Sequence, residues 1–310
     1  MITDVPGFLV GHYTDPVAMT GCTVLLCPPH ATASCEVRGS SPGSRELSLL
    51  APEKQMQEIH AILLTGGSAY GLGAANGVMK FLAERNTGYA TPYAIVPIVP
   101  SAVIFDLNIG RPDIFPTAEN AYAACVAAST LVVEGNVGAG TGATIGKWSG
   151  FEGAMKGGVG TASLRLGDVV VGALAVVNAV GDVLATDGSV LAGAQQDGKF
   201  LGEESRMQAL NDARLLLRNL NTTLVIAVTN VALSKVDTYW AAQRMHDGMA
   251  RGIKPCHTTF DGDVTFAVSA GSVSAPVDLV AEMCAEMTAE AIRSAVRQAA
   301  TIAGVRGLAS

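Results

Sequence analysis

Four stretches of this sequence hold residues that could do chemistry. They are Asn221-Thr222-Thr223, the paired carboxylates of Asp261-Gly262-Asp263, a lone amide, Asn178, in an apolar run, and a Gly-rich run over 135–147 that ends on Lys147. Residues 221–230 read as a short buried strand, apolar and β-branched, with Asn at both ends. A cut between Asn221 and Thr222 would give a strand whose first residue carries both a hydroxyl nucleophile and a free α-amine. Thr with its own amine as base is a known nucleophile–base arrangement. Asn before a β-branched Thr is equally ordinary strand-start chemistry, so the tripeptide alone does not decide.

The other groups also carry two readings each. Asp-Gly is a common turn signal, and no further acidic residues follow Asp263 at calcium-loop spacing. As chemistry, Asp261 and Asp263 could hold a protonated amine, such as that of an N-terminal Thr. An ordinary α-amine titrates at about 7.7–8.0, a useful value for a general base. Asn178 is either a satisfied structural amide or a donor to an oxyanion. Tyr70, beside Gly66, Gly67 and Gly71, is a packing aromatic or a second such donor. Gly138-x-Gly140-x-x-Ala143 fits a loose dinucleotide fingerprint, and Gly146-Lys147 resembles a P-loop ending. However, Trp148 follows the Lys, Thr141 stands where a Gly is needed, and the strand-then-long-helix context is missing. The plainer reading is a turn where backbone approaches something closely, with Lys147 as the one charge reaching in.

These residues need a scaffold, and the composition supplies one. Apolar residues make up 49% and charged ones 15% of 310 residues, enough for a large core and against disorder. A surface this poor in charge suggests cover by other subunits. The net charge of −7, without a Lys/Arg cluster, argues against nucleic acid as a partner. The first residues lack a basic, then apolar, leader pattern. The most apolar window, 169–180, is too short to span a bilayer, so a cytoplasmic protein without membrane contact is expected. The six Cys and five His show no metal-ligand spacing. Neither a metal nor a cofactor is expected, and the cysteines read as buried thiols.

Along the chain, 22–27 reads as a strand stopped by Pro28-Pro29, with another at 33–38. Residues 58–64 form a strand running into the turn 65–71, and a helix with Leu72, Ala75, Val78, Met79 and Leu82 on one face follows. Strands are expected over 94–99 and 102–107, and a helix over 118–128. Strands at 159–166, 169–177 and 183–185 read as a meander. Residues 188–220 read as a mobile linker with one helix. Ser234 with Asp237 starts a helix to about 250, 264–268 is a strand, and Pro276 opens a last long helix. The tally is α+β rather than a regular βαβ alternation.

Taken together, the ordered blocks resemble the self-cleaving family of L-aminopeptidase/D-amidase-esterases, β-peptidyl aminopeptidases, pantetheine hydrolase-like enzymes and nylon-oligomer hydrolases. The blocks include Val10-Gly11-His12, Thr20-Gly21-Cys22-Thr23-Val24, Val37-Arg38-Gly39, 66–72, 138–143 with Lys147, Asn221-Thr222-Thr223, 246–251 and His257-Thr258 with Asp261-Gly262-Asp263. The resemblance implies a four-layered αββα sandwich, like that of N-terminal-nucleophile hydrolases but with altered connectivity. It implies one catalytic domain, 1–310, cut into 1–221 and 222–310, with the fragments staying together and the pairs assembling into a homo-oligomer. It makes Thr222 the nucleophile, places Asn178 and Tyr70 on the oxyanion, and adds Asp261, Asp263 and Lys147 to the site. The implied activity is hydrolysis of a small amide or peptide through an acyl-enzyme, with aminohexanoate oligomers among the substrates in view. Two rivals stand beside it: a self-cleaving acyltransferase of the ornithine acetyltransferase kind, and a non-enzymatic small-molecule or nucleotide binder using the glycine turns.

Overall fold

The computed structural model describes residues 1–211 and 221–309. Nine strands form one mixed sheet: β1 (Leu9–Asp15), β2 (Thr20–Val37), β3 (Ser44–Arg45), β4 (Glu58–Thr65), β5 (Ser101–Val103), β6 (Val159–Leu166), β7 (Val169–Asn178), β8 (Thr222–Val231) and β9 (Val264–Val273). The order is β6-β7-β8-β9-β2-β4-β5-β3, and β1 pairs with β2. The helices are α1 (Ala75–Ala83), α2 (Ala118–Val126), α3 (Glu203–Asn211), α4 (Lys235–Gly252) and α5 (Val277–Arg297).

Strand β2 lets one ladder serve two layers. Its first part, 20–26, pairs with β1 and β4, and its last part, 32–37, pairs with β9. Between them the register slips, from Leu26 opposite Ala61 to Ala31 opposite Ile59. Pro28 and Pro29 sit in that slip. They were expected to end the strand at Cys27, but a proline without an N–H is tolerated at a bulge, and the chain runs on as one strand.

The period-two alternation of each strand then sorts its side chains. On β8, Leu224, Ile226 and Val228 face inward with Leu174, Val176 and Phe266, against Leu25, Ile62 and Leu64 of the other half. Val225 and Ala227 face outward onto Met245 and Met249 of α4 and Val280 and Ile292 of α5. On the far side, Val24, Ala61 and Leu63 carry Val78 and Phe81 of α1 and Ala121 and Ala124 of α2. The result is the helix–sheet–sheet–helix stack. Each fully buried Leu, Ile or Phe in these layers contributes roughly 1.5–3 kcal/mol.

Helix α4 begins as its sequence indicates, with the Ser234 hydroxyl accepting the Asp237 N–H at 3.1 Å. Helix α5 follows Pro276 directly. The expected meander keeps only two strands in the main sheet, because Asp182–Leu184 pairs with Val190–Ala192 and Ile253–Lys254 instead. Similarly, the strands expected at 94–99 and 102–107 shrink to Ile95–Val96 and Ser101–Val103. Part of the expected linker 188–220 is regular. It holds strands Val190–Ala192, Gln195–Gln196 and Lys199–Phe200 and then α3, while 212–220 lie outside the described residues. Among the described residues no helix is long and apolar enough to cross a membrane.

Candidate active site

Strand direction brings the candidate residues together. β8 and β9 are parallel neighbours, joined by the α4 crossover, with Leu224 opposite Val264. Their N-terminal ends therefore meet at one edge, and an isolated bridge there pairs Asn221 with Asp261. β7 runs antiparallel to β8, so its C-terminal end arrives at the same edge and Asn178 stands opposite Thr222. Residues 178, 221–223 and 261–263, far apart in sequence, become one buried cluster.

At its centre the Thr222 hydroxyl donates to the carbonyl oxygen of Asn221 at 2.5 Å. The backbone N–H of Gly262 donates to the same oxygen at 3.0 Å. The Asn221 carbonyl thus lies between the Thr222 hydroxyl and a fixed donor. Glycine is required here for space, since a Cβ on residue 262 would stand 2.9 Å from Thr222 Oγ1 and 2.6 Å from the Ser41 carbonyl oxygen. Asp263 Oδ1 accepts the Thr223 N–H at 2.7 Å, and its Oδ2 accepts the backbone N–H and Nδ1 of His257 at 3.0 and 2.8 Å. Asp261 accepts from the Val180 N–H at 3.3 Å and from the Thr258 hydroxyl at 2.5 Å. Asn178 Oδ1 accepts the Thr144 N–H at 3.0 Å and Lys147 Nζ at 2.9 Å, while Asn178 Nδ2 donates to the Phe105 carbonyl at 3.0 Å. Lys147 also reaches the Asn178 carbonyl at 3.0 Å.

Burial tunes Lys147 and Asp261 towards neutral pH. Desolvation pulls Lys147 down to about 7, with Asp261 opposing it and Lys156 reinforcing it. Burial and then the charge of Asp263 push Asp261 up to about 6. Burial is the largest influence on His257 and works against charging it, but the bond to Asp263, the contact with Cys256 and the charges of both together raise it to about 10. An acid, an amine and an imidazole with such displaced values are the grouping that a functional cluster would bring together.

A second buried group supports the first. Asp106 accepts the Gly67 N–H and the Thr20 hydroxyl, each at 2.7 Å, and so ties down the base of the turn that carries Tyr70. Lys156 Nζ donates to the carbonyls of Thr141 and Ala143 at 2.9 and 2.6 Å, which holds the glycine run in place behind Thr144 and Lys147. That run is not a phosphate cradle. Gly138–Gly140 is a 3₁₀ turn whose N–H groups at 138 and 139 are taken by Thr14 and Thr23, and no long helix follows. Its glycines allow close packing, since a Cβ on Gly140 would stand 2.4 Å from the Val159 nitrogen.

Thr222, Asn221, Asn178, Lys147, Asp261 and Asp263 thus converge. Tyr70 does not join them by contact. Its side chain is 65% exposed and its ring stacks on Phe115 at 4.9 Å; among the described residues no hydrogen bond links it to Asn178 or Thr222. Sequence reasoning missed the Gly262 N–H, the role of His257 and the Asp106–Lys156 layer. The blocks His257-Thr258 and 246–251 were noticed, but a lone His has no spacing that announces an ion pair.

The helix–sheet–sheet–helix stack is the fold of the N-terminal-nucleophile hydrolases. Comparison with known proteins then narrows this. Peptidase family S58 matches residues 1–310, and the chain belongs to that family. An aminopeptidase of Mycobacterium bovis, itself uncharacterised, is 43% identical over 291 residues, covering 89% of this chain and 83% of its own. A 6-aminohexanoate-oligomer endohydrolase of Kocuria is 34% identical over 285 residues, covering 88% and 76%. Among solved structures, a Burkholderia β-aminopeptidase superposes with a TM-score of 0.73 at 22% identity, over 99% of this chain and 90% of its own. The L-aminopeptidase D-Ala-esterase/amidase of Ochrobactrum anthropi, described as a variant of the Ntn-hydrolase fold, gives 0.74 at 20% identity, over 96% and 86%. The chain is a hydrolase of amide or peptide bonds.

Proposed function

We infer that this hydrolase matures by cutting itself between Asn221 and Thr222, and that Thr222 then serves as its N-terminal nucleophile. The observation that carries the reading is the Thr222 hydroxyl and the Gly262 N–H meeting on one carbonyl oxygen, that of Asn221. In the uncut chain, Thr222 Oγ attacks the Asn221 carbonyl carbon and gives its proton to the neutral form of Lys147, which is well populated near pH 7. The oxyanion rests on Gly262. The C–N bond breaks, the Thr222 nitrogen takes that proton from Lys147, and the acyl group has moved to oxygen. Water hydrolyses the ester, leaving a carboxylate on Asn221 and an amine on Thr222.

In the mature enzyme that amine is the base. Thr222 attacks a substrate amide, Asn178 stabilises the oxyanion, joined by Tyr70 only if that ring leaves its stack on Phe115, the amine product leaves, and water releases the acyl group. Asp261 and Asp263 lie where an ammonium group is favoured, which supports small amine-ended amides and peptides as substrates. The relatives' names bring aminopeptidase substrates and 6-aminohexanoate oligomers within that class. No cofactor enters these steps.

The cut leaves β8 and β9 in the small fragment, held between β7 and β2 of the large one. The fragments would therefore stay together. Such pairs associating as a homo-oligomer in the cytoplasm fit the low surface charge and the buried thiols of Cys22, Cys35, Cys125 and Cys284.

The test is an intact mass spectrum under denaturing conditions. The wild type should give two species, 1–221 and 222–310, and Thr222→Ala a single 31.7 kDa chain. Thr222→Ser should still split, more slowly. A wild-type chain that remains whole after prolonged incubation across pH would end this reading.

A further inference from the structure

A half-buried histidine, His257, and a buried one, His246, stand behind the acidic pair and take no part in the steps above. Asp263 works as a clip: Oδ2 takes two hydrogen bonds from His257, and Oδ1 holds the Thr223 N–H, the first peptide beyond the scissile one. The Asp263 side chain is 2% exposed, and among the described residues His257 is its one ion-pair partner. A carboxylate so buried needs a cation beside it.

The other neighbours of the His257 ring fit that role. His246, from α4, lies edge-on to it with centroids 4.7 Å apart. Burial first, then His257, drives His246 down to about 3, so it stays neutral. Its Nε2 donates to the Glu36 carbonyl at 3.2 Å, which leaves Nδ1 with a lone pair. That nitrogen and His257 Nε2 are both buried without a hydrogen-bond partner, on adjacent rings. Around them lie Cys256 in the same loop, Asp261 in the turn, and Glu36 and Arg38 of the β2 end, which pair with each other at 3.8 Å.

We propose that His257 is a positioning residue for the cleavage junction: held as an imidazolium against Asp263, it fixes the carboxylate that grips Thr223 and confines the labile proton of the acidic pair to Asp261. This rests on the Thr222 reading. Without the cation, the charge of Asp263 falls uncompensated on Asp261, which then keeps its proton to higher pH.

His257→Asn keeps an amide donor for Asp263 and removes the charge, whereas His257→Leu removes both. For His257→Asn, Asp261 stays protonated to higher pH and no longer favours the charged form of Lys147, the base of the cut, so the acid limb of the self-cleavage rate should move down by about half a pH unit, with a rate close to wild type above pH ~8 and about threefold higher near pH ~6. His257→Leu should be slow at every pH. If both variants slow alike with the limb unmoved, the role is structural only and the proposal fails. A second measurement needs no His257 variant. In ¹⁵N-histidine-labelled Thr222→Ala protein, both ring nitrogens of His257 should stay protonated from pH ~6 to ~8. A neutral ring over that range would overturn the proposal. Failure of the wild type to split would instead refute the Thr222 reading, and would show before any His257 experiment.

Discussion

Gly262→Ala adds one methyl group beside the Asn221 carbonyl, the one proposed to be cut. The new Cβ would sit 2.6 Å from the Ser41 carbonyl oxygen and 2.9 Å from Thr222 Oγ1. Real Cβ atoms do not approach so closely, so something must shift. Ser41 is backbone and is itself bonded to the turn, through its N–H to the Asp261 carbonyl at 3.1 Å. The turn therefore has to move away from Thr222, taking its N–H off the Asn221 oxygen. Loss of one oxyanion donor costs about 2.7–4 kcal/mol, or roughly 10²–10³ in rate. Self-cleavage of Gly262→Ala, followed by denaturing mass spectrometry from fresh translation, should slow by at least about a hundredfold. Asn178→Ala provides the contrast. Asn178 is assigned to the substrate oxyanion, so its loss should lower kcat for an amino-acid anilide far more than it slows the cut. Cleavage of Gly262→Ala at the wild-type rate would refute the assignment of its N–H. Equal slowing of both stages by Asn178→Ala would refute the division between two oxyanion sites.

Two further outcomes follow from the surrounding geometry. Tyr70→Phe should leave self-cleavage unchanged and lower kcat for the anilide by roughly tenfold or more, the order of one hydrogen bond to developing charge; an unchanged kcat would remove Tyr70 from the site. Lys156 is buried and, despite Asp106, drawn down from 10.5 to about 7. The folded state has thus released a proton that the unfolded state still holds, so this group adds stability as pH rises from about 7 towards 10.5 and loses it as pH falls. Urea unfolding across that window should show the rise. Lys156→Met should flatten it, while destabilising the protein at pH ~7 by leaving the Thr141 and Ala143 carbonyls without their donor.

What could be read in advance follows from how local each signal is. Thr222 lies at the start of a β-branched run, and Asp261 and Asp263 flank a glycine; both are patterns within a few residues. Asn178 stands out because an amide in an apolar strand must be accounted for. Tyr70 was assigned by likeness, and its ring is found on Phe115. The Gly262 N–H carries no side-chain signature at all. Asp106 and Lys156 are fifty residues apart and meet only through the folded glycine run, so neither announces the other. The continuous β2 was hidden because two prolines normally end a strand, and only the bulge between Leu26 and Ala31 shows how they are carried.

The site then owes its existence to one topological choice. Had β8 and β9 been joined by a hairpin, residues 222 and 263 would lie at opposite ends of their strands. At about 3.3 Å per residue, a ten-residue strand would part them by roughly 30 Å. The α4 crossover makes the pair parallel and returns both N-terminal ends to one edge, while antiparallel β7 delivers Asn178 there. The same crossover would keep β8 and β9 in one fragment after the proposed cut. A break at Asn221–Thr222 thus frees an amine at the start of an inner strand, where hydrogen bonds from β7 and β9 still hold it. The proposed nucleophile would gain a base without the ladder losing a strand, so that cleavage and catalysis both turn on the one Thr222 hydroxyl.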